Sequence, residues 1–462
     1  MKTIAVIGSG FSGTATVLQL LRRPAPNGLH VILINRSGRM ARGVAYGTRS
    51  NRHILNVPAG NMSVFPEDVD HFVRFCRWHN PLVTPSSFVS RHLYGRYLDY
   101  LLEQAEEESG EKKRLTRVDA EVIGIDFGGL SDDASSNVTI QMRGGAAIIA
   151  DRAVLAFGHF SPLDPAVPGS LSFSENRYIR DPWAPGALDQ IGGSERVLLI
   201  GSGLTAIDVA ATLAVNNPER QCIAVSRRGL LPQPHRCTRT EQPTHIDVRG
   251  ILDQMGRNVR RYVRVLRRCA RSQAEAGKDW RDVISLLRPH IPELWRRLNQ
   301  RERRRFLRHI QPYWDVHRHR LAPEANLYLH GLLSAGTLQI LAGRLVALRT
   351  SDAIEVDVRK RSADEITTLE VDRVVNCTGP GANLHRVNEV FPRRLLEEGM
   401  LRVDPLGLGI EVDAQYRVVD GAGRANESLR YIGPLLRATY WEATAVPELR
   451  VHARKLAEFL LP

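Results

Sequence analysis

The sequence lacks any pair of cysteines spaced C-x-x-C: Cys76, Cys222, Cys237, Cys269 and Cys377 stand singly and far apart. That pattern argues against a zinc site or a thioredoxin-type redox pair, and no metal is expected. An odd, scattered set fits a reducing compartment in which the thiols are core residues. No apolar run approaches the roughly 18 residues that would span a bilayer. The opening Met1-Lys2-Thr3-Ile4-Ala5-Val6-Ile7-Gly8 reads as a short strand entering a glycine turn. It lacks the long apolar core and small-residue cleavage site of a signal peptide. The expectation is therefore a cytoplasmic chain with no membrane partner. There is no internal repeat and no low-complexity tract. Excess charge is absent from most of the chain as well. Residues 248–320 hold 20 Lys+Arg against 7 Asp+Glu, a balance of +13 that equals the net charge of the whole protein.

What is present is a duplicated pattern. An apolar strand at 3–7 runs into Gly8-Ser9-Gly10-Phe11-Ser12-Gly13, then a helical stretch to Leu21 and a second strand at 30–34. An apolar strand at 196–200 runs into Gly201-Ser202-Gly203-Leu204-Thr205-Ala206, then a helical stretch to Ala214 and a strand at 222–225. Each is the start of a parallel, doubly wound sheet. Further strands at 153–158 and 373–379 end in glycine, 345–369 reads as strands, and 251–321 reads as helices punctuated by Pro289, Pro292 and Pro312. A chain of 462 residues accommodates two or three domains. The fold expected is α/β, with two Rossmann-like dinucleotide-binding domains in a glutathione-reductase-like arrangement and a helical insertion. The expected boundaries are 1–165 with 371–462, 166–247 with 322–370, and 248–321 for the insertion.

In the first motif Gly8 permits a tight turn, Gly10 lets backbone approach a diphosphate, and Gly13 lets helix and strand pack closely, with the diphosphate over the N–H groups of Phe11, Ser12 and Gly13. The acid usual at the end of the next strand is replaced by Asn35, followed by Arg36. The Asn35 amide oxygen remains an acceptor for a ribose hydroxyl, weaker than a carboxylate. In the second motif Gly201, Gly203, Leu204 and Thr205 take the corresponding places. The next strand ends Val225-Ser226-Arg227-Arg228 with no acid. An acid there would favour a ribose 2′-hydroxyl, whereas arginine favours a 2′-phosphate. The second site is therefore expected to take NADPH, the alternative being that Arg227 and Arg228 are solvated loop charges. Two nucleotide sites on one chain imply an electron relay, with FAD at the first as the acceptor of hydride.

Several segments then resemble a family of bacterial FAD/NAD(P)-binding proteins, distant relatives of the flavin-containing and N-hydroxylating monooxygenases. They are Arg42-Gly43-Val44-Ala45-Tyr46-Gly47-Thr48, Leu55-Asn56-Val57-Pro58-Ala59, Leu93-Tyr94-Gly95-Arg96-Tyr97, Ser226-Arg227-Arg228-Gly229-Leu230, Trp314-Asp315-Val316-His317-Arg318-His319-Arg320 and Trp441-Glu442-Ala443-Thr444-Ala445-Val446-Pro447-Glu448-Leu449-Arg450. The resemblance implies that the stretch from Asn56 to Met62 borders the flavin, with Asn56 at its reactive C4a edge; the plain alternative is a turn asparagine that satisfies backbone. It implies that Leu155-Ala156-Phe157-Gly158-His159 links the two domains, with His159 structural, and that Val375-Asn376-Cys377-Thr378-Gly379 is a second link. It implies that Ile432-Gly433-Pro434 meets the flavin's ribityl chain. The helix opening at Ala445 and Val446, with Pro447 in its first turn, would then face the pyrimidine ring of the flavin and stabilise negative charge. Trp441 either flanks the pocket or is a core residue.

The arginines of the insertion suit a solvated helical face, a funnel for anionic NADPH or an acidic substrate, or, with no nucleic-acid module in view, nucleic acid as the least supported partner. His317, Arg318 and His319 belong to a segment that the resemblance marks as packed or cofactor-facing. The function expected is an NADPH-dependent flavin monooxygenase. Molecular oxygen would be held at the flavin C4a as a hydroperoxide, in a dry pocket, and transferred to a heteroatom of a small substrate. The first substrate class is an amine nitrogen of a small, anionic amino acid, aspartate among them. The alternatives are an NADPH:acceptor flavin oxidoreductase without oxygen insertion, and a non-catalytic NADPH-sensing or nucleic-acid-binding protein.

Overall fold

The computed structural model describes residues 1–109, 114–128, 137–168, 176–236, 246–361, 363 and 365–461. Two parallel-centred sheets organise the chain. In the first, β1 (Lys2–Ile7) lies between β2 (Leu29–Asn35) and the strand Arg152–Leu155, with Ile7 opposite both Ile34 and Leu155. Leu115–Asp119 continues the parallel sheet beyond β2, Ala425–Tyr431 continues it beyond 152–155, and Arg417–Val419 closes that edge antiparallel. Ile4, Ala5 and Val6 are fully buried, as expected of a parallel strand covered on both faces. The helix α1 (Phe11–Leu21) covers one face and is buried along nearly its whole length, packing against the C-terminal helix Val446–Leu460.

The second sheet repeats the plan. β3 (Val197–Ile200) lies between β4 (Cys222–Ser226) and Arg373–Asn376, with Ile200 opposite Val225 and Asn376. Beyond β4 the sheet continues through Leu338–Thr350, Ile354–Lys360 and Ile366–Val371, the last two antiparallel. The helix α2 (Leu204–Asn216) follows β3 as α1 follows β1. One boundary differs from the sequence reading. The expected boundary puts the segment from 371 in the first unit, whereas Arg373–Asn376 pairs in the second sheet. Val374 and Val375 have no exposed surface and are covered on both faces there. The chain returns to the first unit only after Asn376. A three-stranded antiparallel sheet, Val122–Phe127, Val138–Met142 and Ala147–Ala150, is a further element that no sequence pattern above separates.

The insertion is helical, and its periodic run divides. Gly256, at φ 63°, ends Val248–Met255, and Asn258 caps Val259–Glu275 by accepting from the N–H groups of Arg260 and Arg261. Pro289, Pro292 and Pro312 each stand in a first turn, where a missing N–H costs nothing. Arg260, Arg261, Arg264, Arg267, Arg268 and Arg271 are exposed, which is the solvated face. Of the cysteines, Cys76, Cys222 and Cys377 are buried free thiols, Cys269 is half-buried, and Cys237 lies outside the described residues. Among the described residues no helix is long and apolar enough to cross a membrane.

The two units meet through polar contacts from α2. Arg91 pairs with Asp208 at 2.8 Å, and His53, itself hydrogen-bonded to Thr48, shares a 2.8 Å bond with Thr212.

The tightest point of the first unit is Gly13, where a Cβ would stand 1.9 Å from the Gly8 carbonyl oxygen. Gly13→Ala must therefore push α1 off β1. We expect a loss of at least about 3 kcal/mol in urea unfolding, and a variant as stable as the parent would refute the clamp.

Candidate active site

The carboxyl ends of β1 and β3 are topological switch points, since the neighbours on either side come from different parts of the chain. Crevices at such points receive ligands in open α/β sheets. Both are built alike. Gly8 N donates to Ile34 O and Gly201 N to Val225 O, each at 2.8 Å. Gly8 sits at φ 108° and Gly201 at φ 116°. A Cβ on Gly8 would lie 2.7 Å from Ala156 O, and one on Gly201 would lie 2.7 Å from Cys377 O. In each case a side chain is excluded by the strand on the far side of the switch point.

Beyond each glycine the helix begins with its donors free. The first intrahelical bonds are Thr14 N to Gly10 O and Ile207 N to Gly203 O. The N–H groups of Phe11, Ser12 and Gly13, and of Leu204, Thr205 and Ala206, therefore have no partner within the helix. Neither helix has a side-chain cap or an acid in its first turn, so the positive end of each dipole is unopposed. This donor set fits a diphosphate at each site. A Cβ on Gly203 would meet nothing within 4 Å, which leaves that approach open. Gly10 faces the backbone of Gly43, which brings the 42–48 segment to the first cradle.

The remaining expected residues divide. Asn35 accepts from Ser9 N at 3.3 Å, while its amide donates to Ser37 Oγ and Arg39 O. It thus shapes the turn beside the first cradle, with Arg36 exposed next to it. The Phe11 ring packs against Tyr46 and Tyr94 and leaves only its backbone for a ligand. Asn56 accepts a 3.0 Å bond from His235 Nε2 on its backbone oxygen, tying the 56–62 stretch to the second unit, and Met62 is buried. Gly433, at φ 147°, is required where a Cβ would stand 2.6 Å from the Tyr431 hydroxyl. That hydroxyl donates to Phe157 O and accepts from Leu435 N. Gly379, at φ 90°, turns the second link just past the second cradle. Arg227 is exposed, and Arg228 donates to Arg308 O at 3.2 Å.

Beside the first cradle the link 157–160, the 434–442 segment and helix α3 (Gln311–Arg318) converge on a polar recess, where the partly exposed His159, Asp315, His319 and Arg437 lie within electrostatic reach of their neighbours in the group. His159 retains exposed surface, yet burial among protein atoms and then the Arg437 charge push its imidazole down to about 4. Arg437 lies 4.0 Å over the Trp441 ring. Burial lowers its pKa, opposed by Asp315 and Glu442. Among the described residues Arg437 forms no ion pair with a carboxylate. Burial raises the Asp315 carboxyl and lowers the His319 imidazole in the same recess. Trp441 is a core residue packed on Trp295, and the Arg437 guanidinium lies over its ring.

Beneath the recess runs a buried charge network that sequence reasoning missed. Arg318 pairs with Glu442 at 3.2 Å and with Glu448 at 3.5 Å, Trp314 Nε1 donates to Glu442 at 2.8 Å, and Arg288 Nη2 donates to Glu448 at 2.7 Å. Glu448 is in the first turn of α4 (Val446–Leu460), so the positive end of that helix, at Ala445 and Val446, is offset by an acid, unlike those of α1 and α2. Of the expected trio, Arg318 is buried, His319 lines the recess, and His317 packs on Trp280. Arg437 carries no sequence signal, because two of the groups that give it its setting, Asp315 and His159, lie more than a hundred residues away.

Residues 5–160 match a protein family described as FAD-NAD(P)-binding. No curated protein matches the sequence. Solved structures share the fold over nearly the whole chain. L-lysine 6-monooxygenase of Pseudomonas syringae aligns with TM-score 0.66 and 17% identity, covering 100% of this chain and 99% of that one. The ornithine N-hydroxylase of Kutzneria sp. 744 aligns with TM-score 0.61 and 17% identity, covering 98% and 97%. The cadaverine monooxygenase of Erwinia amylovora aligns with TM-score 0.61 and 13% identity, covering 99% and 94%.

Two measurements check the site's electrostatics. Burial pushes His235 and His452 down to about 4 from an ordinary 6.5. Between those values the unfolded chain binds more protons than the folded one, so stability falls as pH drops from 6.5 toward 4. His235→Gln keeps a donor toward Asn56 O and should narrow the difference in urea midpoint between pH 7 and pH 5; an unchanged difference would count against it. Arg318→Leu strands the Glu442 carboxylate in the core and should cost about 3–5 kcal/mol, read from the same unfolding curves.

Proposed function

We propose that this protein is an NADPH-dependent flavin monooxygenase that oxygenates the amine nitrogen of a small amino acid bearing an additional carboxylate. The observation that carries the reading is the pairing of two similarly built, acid-free diphosphate cradles with a polar recess beside the first. FAD belongs at the first cradle, within the matched FAD-NAD(P)-binding region, and NADPH at the second, where Arg227 and Arg228 replace an acid. The likeness in fold to lysine, ornithine and cadaverine monooxygenases supports nitrogen as the atom oxygenated. Overall, amine, molecular oxygen, NADPH and a proton would give hydroxylamine, NADP+ and water.

FAD when bound supplies the capacity to accept hydride and to activate oxygen. The protein supplies the surroundings. The free N–H groups of α1 and α2 hold the diphosphates. Phe157, Phe160 and Tyr431 pack the wall behind the link and exclude water. His159, held neutral at physiological pH, adds no positive charge to the recess. Arg437 stands ready for an anionic group. A buried guanidinium with no direct ion pair, and with Asp315 and Glu442 only at longer range, is stabilised by a carboxylate that a diamine such as cadaverine lacks, so this recess favours an acidic amino acid over a diamine.

The test is a panel of amines (aspartate, glutamate, ornithine, lysine, cadaverine) with the purified flavoprotein, scoring NADPH oxidation together with hydroxylamine formation. The expected result is bleaching of the flavin by NADPH, and coupled product with an acidic amino acid. In Arg437→Met the apparent KM for that substrate should rise at least about tenfold while NADPH still bleaches the flavin. NADPH oxidation that yields only hydrogen peroxide with every amine would favour the acceptor oxidoreductase instead, and a chain that refuses flavin would overturn both.

A further inference from the structure

The edge of the second cradle carries a cluster that neither glycine motif announces. Ser226, the last residue of β4, faces Ala342, and Ser202 Oγ donates to Ser226 Oγ at 2.7 Å. In a dinucleotide site the end of this strand lies beside the adenosine ribose. Gly229, at φ 61°, presses against Ala342, where a Cβ would stand 2.9 Å from the Ala342 side chain. The Ala342 carbonyl accepts from Arg361 N at 2.9 Å. Arg227, Arg228 and Arg361, though more than 130 residues apart in sequence, therefore emerge from one edge. Into the same place the insertion sends Tyr313. Arg228 lies 5.5 Å over its ring, and the guanidiniums of Arg361 and Arg228 both lie against its phenol oxygen. Those contacts hold the Tyr313 phenol below its ordinary pKa, which reports a locally positive field. Among the described residues none of Arg227, Arg228 and Arg361 forms an ion pair with a carboxylate.

We propose that Arg361 and Tyr313 complete, with Arg227 and Arg228, a clamp for the 2′-phosphate of NADPH, Arg361 binding the phosphate and Tyr313 positioning Arg228 and Arg361 around it. This rests on the reading of the second cradle as an NADPH site. The guanidiniums of Arg228 and Arg361 meet at one phenol oxygen without a carboxylate and repel one another, and a dianionic phosphate relieves that repulsion while accepting several of their N–H groups, with exposed Arg227 beside them on the same strand end. The phenol oxygen gives both a neutral acceptor when the phosphate is absent. The clamp also gives the helical insertion a part in cofactor choice, because Tyr313 and the Arg308 carbonyl that holds Arg228 both come from it.

The test uses the full-length flavoprotein and two probes, 2′,5′-ADP and 5′-AMP, with binding measured by calorimetry. The wild-type protein should prefer 2′,5′-ADP strongly. Arg361→Gln should weaken 2′,5′-ADP binding by at least about tenfold while 5′-AMP changes less than about twofold. Arg361→Lys should restore only part of the affinity, since a point charge lacks the guanidinium fork. Tyr313→Phe should reduce discrimination between the probes by several-fold without changing 5′-AMP binding. A purely structural role would weaken both probes together, and that result overturns the proposal, as does unaltered discrimination in Arg361→Gln. If the wild-type protein itself fails to distinguish the probes, the NADPH assignment falls, whereas discrimination that survives in the variants removes only the clamp.

Discussion

Everything in this fold depends on two places where backbone is pressed against backbone at the end of a central strand. At Gly8 the neighbour is Ala156 O and at Gly201 it is Cys377 O, each 2.7 Å from where a Cβ would stand. The contact forces the chain to turn sharply and start a helix whose first N–H groups have no partner. The same contact makes the far-side strand part of the cradle's wall. A steric constraint on two glycines thus becomes an electrostatic feature, because free donors and an unopposed dipole gather at each switch point.

The two cradles are alike but not equal. The first is clamped by Gly13 against Gly8 O, whereas the second has Ala206 in the corresponding place, buried and accommodated. The first borders a recess walled by His159, Asp315, His319 and Arg437; the second has an open, arginine-bearing edge. The difference follows from what packs over each. Segments 42–48 and 434–442 close over the first, and the insertion leans over the edge of the second. Charge follows the same division: direct ion pairs lie deep below the recess, and cations without a direct ion pair remain at its wall and at the edge of the second cradle.

The two strand–turn–helix units were legible in the sequence because each is local: apolar strand, glycines at fixed offsets, apolar helix. The helical character of the insertion was legible for the same reason, through periodicity and the placement of its prolines. The boundary near 371 was not, since a strand at 373–376 reads the same whichever sheet receives it, and only pairing with β3 decides. The meaning of Asn35 was only half visible, because a side chain that accepts from Ser9 N and donates to Arg39 O is defined by the turn it holds. Arg437, Tyr313 and Arg361 are ordinary surface-type residues in sequence. Their setting depends on contacts across the chain that no spacing rule encodes.

The insertion grows out of the second unit but grips the first. Trp295 stacks on Trp441, Trp295 Nε1 donates to Ala438 O, and Arg288 and Arg318 hold Glu442 and Glu448. A swing of one nucleotide unit against the other, the hinge motion that some two-domain redox proteins use to alternate partners, would have to pull these groups out of the interior and leave charges unpaired. The insertion therefore acts as a brace. It joins the two units through buried contacts, so that parting the switch points would first have to expose Trp295 and strand Glu442 and Glu448.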